Sequence, residues 1–203
     1  ATWTKSTATP RVRYWRFVVT STDEAASYRS AYISYISVKI DGKEYPSVAS
    51  SSISGYIGGV TGVHISASGY DGSNYPWKAF QESDSSSWAS EDNLFSSTAP
   101  YDYTGTAPYI ALDFGENNEQ TITGYSLKSP SGSGCPDEGY WEYSSDDALW
   151  IRVTQSKLDG SGCQANTLYS GPDFNFGASL VNVMDAPTGT NTMTTLDLPI
   201  TGV

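Results

Sequence analysis

One polar loop carries the residue types that most readily do chemistry. The stretch from Ala79 to Trp88 reads AFQESDSSSW, so two apolar residues lead into amide, carboxylate and hydroxyl side chains that end on a tryptophan. Carboxylate and hydroxyl oxygens are ligands for hard cations, and polar side chains beside an aromatic ring can also form the rim of a sugar site. The same letters describe a solvated turn that places Trp88 in a core. This stretch alone leaves all three interpretations open.

The sequence contains no pattern that indicates catalysis. It has no G-x-S-x-G motif and only one histidine, His64, so a nucleophile–base pair and a histidine metal cluster have no basis here. The 22 acidic residues include several adjacent pairs in turn contexts, which are typical of solvated surface turns. A glycosidase needs two acids across a cleft, and no spacing along the chain indicates such a pair. We therefore predict a protein that is not an enzyme.

Two cysteines lie in matching glycine-rich settings. Cys135 follows Gly-Ser-Gly and precedes proline, and Cys163 follows Gly-Ser-Gly and precedes glutamine. The two loops bracket a tryptophan-rich strand pair and could meet at one end of a sheet, so the cysteines are a candidate disulfide, with two free thiols as the alternative. Such a bond would stabilise the fold by roughly 3–4 kcal/mol on a chain-entropy argument. Two cysteines and one histidine are too few for a structural zinc site.

Charge and hydropathy limit the partners. The net charge of −11 opposes binding to nucleic acid or to an acidic membrane surface. Basic residues cluster only weakly, at Arg11, Arg13 and Arg16, where they alternate with aromatic residues as in a strand. No apolar run is long enough for membrane insertion. Neutral glycans, cations and other proteins remain as partners.

Strands must position these residues, because helical periodicity is almost absent from the sequence. The side chains available to form a core are largely aromatic, with 15 Tyr, 6 Trp and 6 Phe. This aromatic content, together with a charged fraction of only 16%, is typical of extracellular or virion-surface β proteins. Turns are predicted at Asp41-Gly42 and at 145–147. The predicted strands are 12–20, 32–40, 109–115, 121–127, 139–144, 149–154, 179–184 and 193–198. Many short strands separated by turn residues predict an all-β sandwich or barrel.

Four motifs in a fixed order resemble the discoidin / coagulation-factor type C family. They are Ala79-Phe80 with the polar loop ending at Trp88-Ala89-Ser90, then the strand 108–115 ending Asp-Phe-Gly, then Ile122-Thr123-Gly124-Tyr125, then 141–150 from Trp to Trp. The similarity covers residues 65–155. This resemblance implies the family's galactose-binding-like jelly-roll β-sandwich.

The start of the chain extends the resemblance in an altered order. Segments 12–20 and 31–38 look like the strands that usually end this family's domains, so the order is similar to a circularly permuted form, as found in bacteriophage virion proteins. Permutation costs little where terminal strands lie close together. We therefore expect a single domain over 1–203, with a motif core over 11–155 and with 164–203 as additional C-terminal strands or a docking segment.

The resemblance also implies a structural Ca²⁺ in the polar loop, and here the sequence departs from the family. The family's metal-binding aspartate corresponds to Gln81, its glycine to Glu82 and its hydroxyl to Ser86. Calcium takes six to eight oxygens, several of them carboxylates. Gln81 supplies only a neutral oxygen, for which Glu82 and Asp84 would have to compensate. An ion-free polar turn is the alternative. In either case the motif pattern places Trp88 in the core, and no other cofactor is expected.

Sugar sites in this family lie in loops at one end of the sandwich, where an aromatic ring stacks on the pyranose and polar side chains bind its hydroxyls. Two stretches combine aromatic residues with the Asp, Gly, Asn and Pro of turns, and the candidates in them are Tyr70, Tyr75, Trp77, Tyr101 and Tyr103. The alternative is that these rings cover the sandwich ends or pack against a neighbouring subunit.

The function predicted from the resemblance is a non-enzymatic carbohydrate-binding or adhesion domain displayed on a virion surface or outside the cell, as a phage decoration, fibre or tail component. Its partners would be glycans and other subunits of the virion or surface assembly. The alternative function is a purely structural assembly protein whose loop aromatics contact those subunits or further copies of the same chain in a homo-oligomer.

Overall fold

The computed structural model describes residues 2–6, 10–23, 29–81, 86–98, 101–130, 134–153, 158–159, 166–174, 176 and 179–183. The chain divides into two compact units, one formed by Ala1–Thr7 with Ala178–Val203 and the other by Ala8–Gly177. The described segments form strands and one short 3-10 helix, Pro76–Phe80. The strands are β1 (Thr2–Ser6), β2 (Tyr14–Thr22), β3 (Tyr32–Ile33), β4 (Tyr35–Ile40), β5 (Lys43–Tyr45), β6 (Val48–Ser51), β7 (Ser54–Ile57), β8 (Val60–Ala67), β9 (Trp88–Ala89), β10 (Tyr109–Asp113), β11 (Ile122–Lys128), β12 (Pro136–Ser144), β13 (Ile151–Arg152), β14 (Leu158–Asp159), β15 (Tyr169–Ser170) and β16 (Ser179–Val183).

In the smaller unit, β1 and β16 form a two-stranded antiparallel sheet in which Thr4 pairs with Val181. Strand β16 falls within the predicted strand 179–184. The predicted strand 193–198 lies outside the described residues.

The larger unit contains one large antiparallel sheet in the order β13-β12-β2-β10-β8-β7-β6, with β14 also paired to β12. Alternation along β2 sends Trp15, Phe17 and Val19 into the core, where each is at most 1% exposed. The opposite face of β2 carries Tyr14 and Arg16, which are partly exposed. The large sheet therefore has one buried face and one face that carries polar and aromatic side chains.

A smaller antiparallel sheet has the order β15-β11-β4-β5. Its β4–β5 turn is Asp41-Gly42, as predicted, and both residues have positive φ angles, 51° and 75°. Two consecutive left-handed residues favour the tight hairpin turn that matches the natural twist of the strands. The remaining pair, β3 with β9, joins Ile33 to Trp88.

Aromatic rings join the inner faces of the two larger sheets. The Tyr125 ring of β11 lies 5.6 Å from the Phe17 ring of β2 and 5.8 Å from the Trp141 ring of β12, centroid to centroid. All three side chains are buried. This face-to-face packing of antiparallel sheets confirms the all-β sandwich prediction.

Residues after the second cysteine contribute to this core. Strand β15 completes the smaller sheet beside β11. The Phe174 ring lies 5.9 Å from the Tyr125 ring and 6.2 Å from the Trp141 ring, and Phe176 packs against Phe174 at 6.2 Å. The described part of 166–176 therefore belongs to the sandwich of the larger unit.

Candidate functional site

Three of the predicted sugar-site aromatics form one cluster, which we call the aromatic triad: Tyr70, Tyr75 and Trp77. The Tyr70 and Tyr75 rings are 5.0 Å apart and tilted, and the Tyr75 and Trp77 rings are 6.3 Å apart and nearly parallel, at 8°. Tyr70 is 46% exposed and Tyr75 is 40% exposed, whereas Trp77 is half-buried. The triad therefore presents aromatic surface to solvent.

The 3-10 helix explains how the triad is held. Tyr75 precedes Pro76 and has the extended backbone that proline imposes on its predecessor, with φ −62° and ψ 149°. Pro76, Ala79 and Phe80 are the buried residues of this helix. Burial of those residues fixes the short helix on the core, against which the half-buried Trp77 side chain also packs.

The triad loop is also bonded to a core tryptophan. As predicted, Trp88 is fully buried, and its Nε1 donates a hydrogen bond to the Gly69 carbonyl at 3.0 Å. The Asp71 amide donates to the Ala89 carbonyl at 3.1 Å, and the Ala89 amide donates to the Asn74 carbonyl at 3.4 Å. Strand β9 therefore holds both ends of the loop.

Polar residues that the sequence did not single out lie in the triad loop or next to it. The Lys78 Nζ lies 5.9 Å from the centre of the Tyr75 ring. Asp71 and Asn74 are half-buried in the same loop. The Glu91 carboxylate lies so close to Gly69 that a Cβ there would overlap it. Glu91 is distant from Gly69 in the sequence and follows the polar-loop motif that ends at Ser90. Its place beside the triad loop results from the hydrogen bonds between β9 and that loop, which the sequence does not show.

The second predicted stretch lies elsewhere on the larger unit. The Tyr103 amide donates to the Thr20 carbonyl at 3.1 Å, and the Tyr101 carbonyl accepts from the Thr22 amide at 3.3 Å, which places both tyrosines along the end of β2. Tyr103 is 43% exposed. Within the described chain, no ring contact joins either tyrosine to the triad. The structure therefore separates the five candidates into two groups.

The described half of the polar loop does not fit a calcium site on its own. The Gln81 Nε2 donates to the Ala49 carbonyl at 3.0 Å, and the Gln81 Oε1 accepts from the Ser86 hydroxyl at 3.1 Å. These are neutral groups already bonded to protein, whereas calcium requires several carboxylate oxygens. The described residues contain no group of three or more His, Cys, Asp or Glu that could hold a metal. Glu82 and Asp84 lie outside the described residues, so calcium stays a prediction that depends on them.

Of the two cysteines, the structure describes the surroundings of Cys135. Cys135 is buried and disulfide-bonded. Its carbonyl accepts a hydrogen bond from the Asp23 amide at 2.9 Å. Cys163, the other cysteine of the chain, lies outside the described residues.

A second aromatic group, on the outer face of the large sheet, has a different character. We call it the arginine–aromatic face, formed by Arg16, Tyr109, Tyr140, Glu142, Trp150 and Arg152. The Arg16 guanidinium lies 4.8 Å from the Tyr109 ring centre and 4.0 Å from that of Trp150, and it bonds the Glu142 carboxylate at 2.6 Å. The Arg152 guanidinium lies 3.7 Å from the Tyr140 ring centre. Guanidinium groups therefore cover ring faces here.

Burial raises the pKa of the Tyr140 phenol above its usual value, and the nearby Glu142 carboxylate acts in the same direction. Only the alternation around Arg16 is visible in the sequence, because the ring partners of Arg16 are supplied by β10 and by the end of the β12–β13 turn. The register of β2 with both neighbours brings these residues together.

At one end of the same sheet, Arg13 binds Asp113 through two hydrogen bonds, of 2.6 and 2.8 Å. The guanidinium lowers the pKa of the Asp113 carboxyl, and the Gly115 amide, which donates to the same carboxylate at 2.8 Å, lowers it further. An open cavity of about 500 Å³ lies beside this pair, lined by Arg11, Val12, Arg13, Glu116, Glu119 and Ser145. Its two arginines and two glutamates balance in charge, so it does not favour an ionic ligand of either sign.

Comparison of the chain with protein-family models, with curated proteins and with solved structures finds no match. In the part of the chain that the structure describes, no helix is long and apolar enough to cross a membrane.

Proposed function

We propose that this protein is a non-enzymatic carbohydrate-binding domain that attaches to glycans through the aromatic triad. The observation that carries the proposal is the cluster of Tyr70, Tyr75 and Trp77 in one surface loop, with two exposed tyrosines and two nearly parallel rings. The apolar C–H face of a pyranose packs on such a ring face, and neighbouring polar groups bind its hydroxyls.

The polar groups of the site suit an uncharged sugar. Asp71, Asn74 and Glu91 offer carboxylate and amide oxygens as hydrogen-bond acceptors for hydroxyl groups, and Lys78 offers donors. Two acids against one lysine disfavour an anionic glycan. An open site of this kind gives a dissociation constant on the order of millimolar for one sugar, and display in several copies raises the avidity.

The contrast between the two aromatic groups supports this assignment. In the arginine–aromatic face the guanidinium of Arg16 lies 4.0 Å from the Trp150 ring centre, so one stacking surface of that ring is already covered. In the triad the Lys78 ammonium lies farther away, 5.9 Å from the Tyr75 ring centre, and the tyrosines are well exposed. The triad therefore has more open ring surface for a sugar.

The proposed setting is outside the cell or on a virion. The disulfide-bonded Cys135 suits an oxidising environment. The assignment to a phage decoration, fibre or tail component depends on the motif resemblance described above. A structural assembly role is a second proposal, favoured by the exposed apolar side chains of Leu149 and Ile151, which are 69% and 47% exposed.

A glycan-array screen followed by calorimetry on the strongest ligands tests the proposal. Tyr70→Ala and Tyr75→Ala should each weaken binding about tenfold or more without loss of folding, because each removes an exposed stacking surface. Tyr103→Ala is the matched control, since Tyr103 is 43% exposed against 40% for Tyr75 and belongs to the other group. An empty array for the folded protein, or sensitivity to Tyr103→Ala alone, would overturn the assignment to the triad. Repeating the titration in EDTA shows whether the polar loop contributes a metal.

A further inference from the structure

The charged residues of the triad site are associated with different rings. Asp71 directly follows Tyr70 in the chain, and the Glu91 carboxylate lies beside the residue that precedes Tyr70. The Lys78 Nζ instead approaches the Tyr75 ring, at 5.9 Å from its centre. The site therefore has an acidic end beside Tyr70 and a basic end beside Tyr75.

Glycine at position 69 leaves room for the Glu91 side chain. A Cβ on Gly69 would lie 2.6 Å from the Glu91 Cδ and 2.7 Å from its Cγ. The backbone conformation does not require glycine here, because Gly69 is not among the glycines with a positive φ. The missing side chain thus leaves a space that the Glu91 side chain fills, at the start of the triad loop.

No basic residue neutralises these carboxylates in the described part of the chain, where no ion pair involves Asp71 or Glu91. Asp71 is half-buried, whereas Glu91 is exposed and accessible to a ligand in solvent. The net charge of −11 has the same sign, so the field of the whole protein attracts small cations and repels small anions. The acidic end of the site therefore favours a positively charged group.

The ring at the acidic end favours a cation as well. The face of a tyrosine ring is electron-rich and attracts an ammonium group that lies within about 6 Å of the ring centre. Tyr70 is well exposed, and among the described residues no arginine or lysine lies over its ring. Its exposed surface is therefore open to the ammonium group of a ligand.

We infer that the triad site selects sugars that carry a protonated amino group. This inference rests on the glycan binding proposed above and adds the class of sugar. The pyranose packs on the exposed tyrosines, and its ammonium group lies at the acidic end, near the Tyr70 ring and the Glu91 carboxylate. A neutral sugar makes the stacking contact alone, and an acidic sugar is repelled by the carboxylates. The affinity therefore falls from amino sugars to neutral sugars to acidic sugars.

Matched pairs of methyl glycosides test this selectivity. Glucose and glucosamine, galactose and galactosamine, and mannose and mannosamine each differ by a hydroxyl or an amino group on one carbon. NMR titrations at mildly acidic pH, where the amines are protonated, measure the dissociation constants. In each pair that binds, the amino sugar should bind about fivefold more tightly, as expected for one exposed ion pair with a cation–ring contact. Added salt should reduce this preference, because it screens exposed charges.

Glu91→Gln removes the charge but keeps the shape and one acceptor oxygen of the side chain. It should abolish the preference for amino sugars and leave the affinity for neutral sugars unchanged. Glu116→Gln is the matched control, because it changes the net charge equally and Glu116 is also exposed. Strand β8 enters the triad loop beside the start of β10, whereas Glu116 follows the end of β10. The control variant should therefore keep the preference.

Gly69→Ala tests the position of the carboxylate without a change of charge. The added methyl group displaces the flexible Glu91 side chain, so the preference should fall as it does in Glu91→Gln, while a melting curve shows that the variant is folded. Equal binding within every pair that binds would overturn the inference and leave glycan binding intact. If none of these sugars binds, the inference is wrong, and the glycan array decides the proposed function separately. A preference that survives Glu91→Gln contradicts the role of Glu91.

Discussion

At the scale of single residues, the pair formed by Arg13 and Asp113 shows how the sheet sets a carboxyl group's charge. The side chains are 35% and 24% exposed and meet through two hydrogen bonds. The bonded guanidinium stabilises the ionised carboxylate, so the pKa of Asp113 lies below its ordinary value. The pKa of Asp146 is lowered for another reason, since backbone amides of Leu149 and Ala148 donate to its carboxylate.

These two causes predict different responses to one substitution. Arg13→Gln should raise the pKa of Asp113 towards the ordinary aspartate value and leave that of Asp146 low. Carboxyl chemical shifts followed through an acid titration by NMR measure both values in one sample. A pKa of Asp113 that does not move would show that the Gly115 amide, rather than Arg13, lowers it.

The same pair makes stability depend on pH. Because the folded pKa of Asp113 is lower than the unfolded one, the unfolded chain binds the proton more readily. The stability that the pair contributes is therefore fully present above about pH 4, the ordinary pKa of an aspartate in the unfolded chain. It is lost as the pH falls through the lower pKa of Asp113 in the folded protein. The Asp113→Asn variant should therefore lose less stability than the unmodified protein as the pH falls. Urea denaturation of both proteins at a series of pH values measures the difference.

Sequence patterns predict some single residues and miss others. The place of Trp88 at the end of a polar loop indicated a core residue, and its indole is fully buried. Gln81, at the position where the resembled motif has aspartate, was visible in the sequence, but its bond to the Ala49 carbonyl was not. That bond depends on the isolated bridge between Val48 and Gln81, a contact between segments that local sequence does not encode.

At the scale of elements, β12 shows how one glycine accommodates the packing of neighbouring strands. The register of β12 with β2 shifts on either side of Glu138. A Cβ on Gly139 would lie 2.7 Å from the Phe17 Cζ and 2.7 Å from the Val18 carbonyl oxygen. The backbone oxygen cannot move without disturbing the sheet, so the position requires glycine.

Gly139→Ala should therefore lower the free energy of unfolding by about 1–3 kcal/mol, the usual cost of overpacking. Gly105→Ala is the control, because a Cβ there meets no atom within 4 Å. That variant should change stability by less than about 0.5 kcal/mol. Urea denaturation of both variants measures the difference, and equal stability of the two would contradict the packing argument.

Elements with strong local signals could be predicted, and those that depend on pairing could not. The Asp41-Gly42 turn and the β12–β13 hairpin were evident from turn residues between alternating apolar positions. Strands β6, β7 and β8 were missed, because serine and glycine dilute the apolar pattern from Val48 to Ala67. The predicted strand 32–40 is divided at Ser34, whose amide bonds the Lys128 carbonyl at 2.8 Å, because β3 pairs with β9 and β4 with β11.

At the scale of the whole molecule, the disulfide of Cys135 adds a covalent link to the larger unit, whose core is packed with aromatic rings. The prediction is that Cys135 and Cys163 form one bond, which peptide mapping of the unreduced protein should detect. Reduction should lower the free energy of unfolding by roughly 3–4 kcal/mol, as expected for a loop of this length. Cys135→Ala should show the lower stability with or without reductant. If the stability of Cys135→Ala still falls when reductant is added, the loss of stability on reduction has a cause other than this disulfide.

The sandwich could be predicted as a whole because the strand signals are numerous, whereas the candidate site could be predicted only as a set of residues. Aromatic loops between strands indicated Tyr70, Tyr75 and Tyr103 equally. Their division into two groups depends on which strands the loops pair with. Tyr103 lies beside β2 because its amide donates a hydrogen bond to the Thr20 carbonyl. Turn composition contains no information on that choice.

The bond between Trp88 and Gly69 has a consequence for binding kinetics. Because a buried core residue holds the triad loop, we expect this loop to lose little conformational entropy in the glycan binding proposed above. Glycans should then associate at similar rates and differ mainly in how quickly they dissociate. Selectivity among sugars would accordingly be expressed as residence time on a rigid surface.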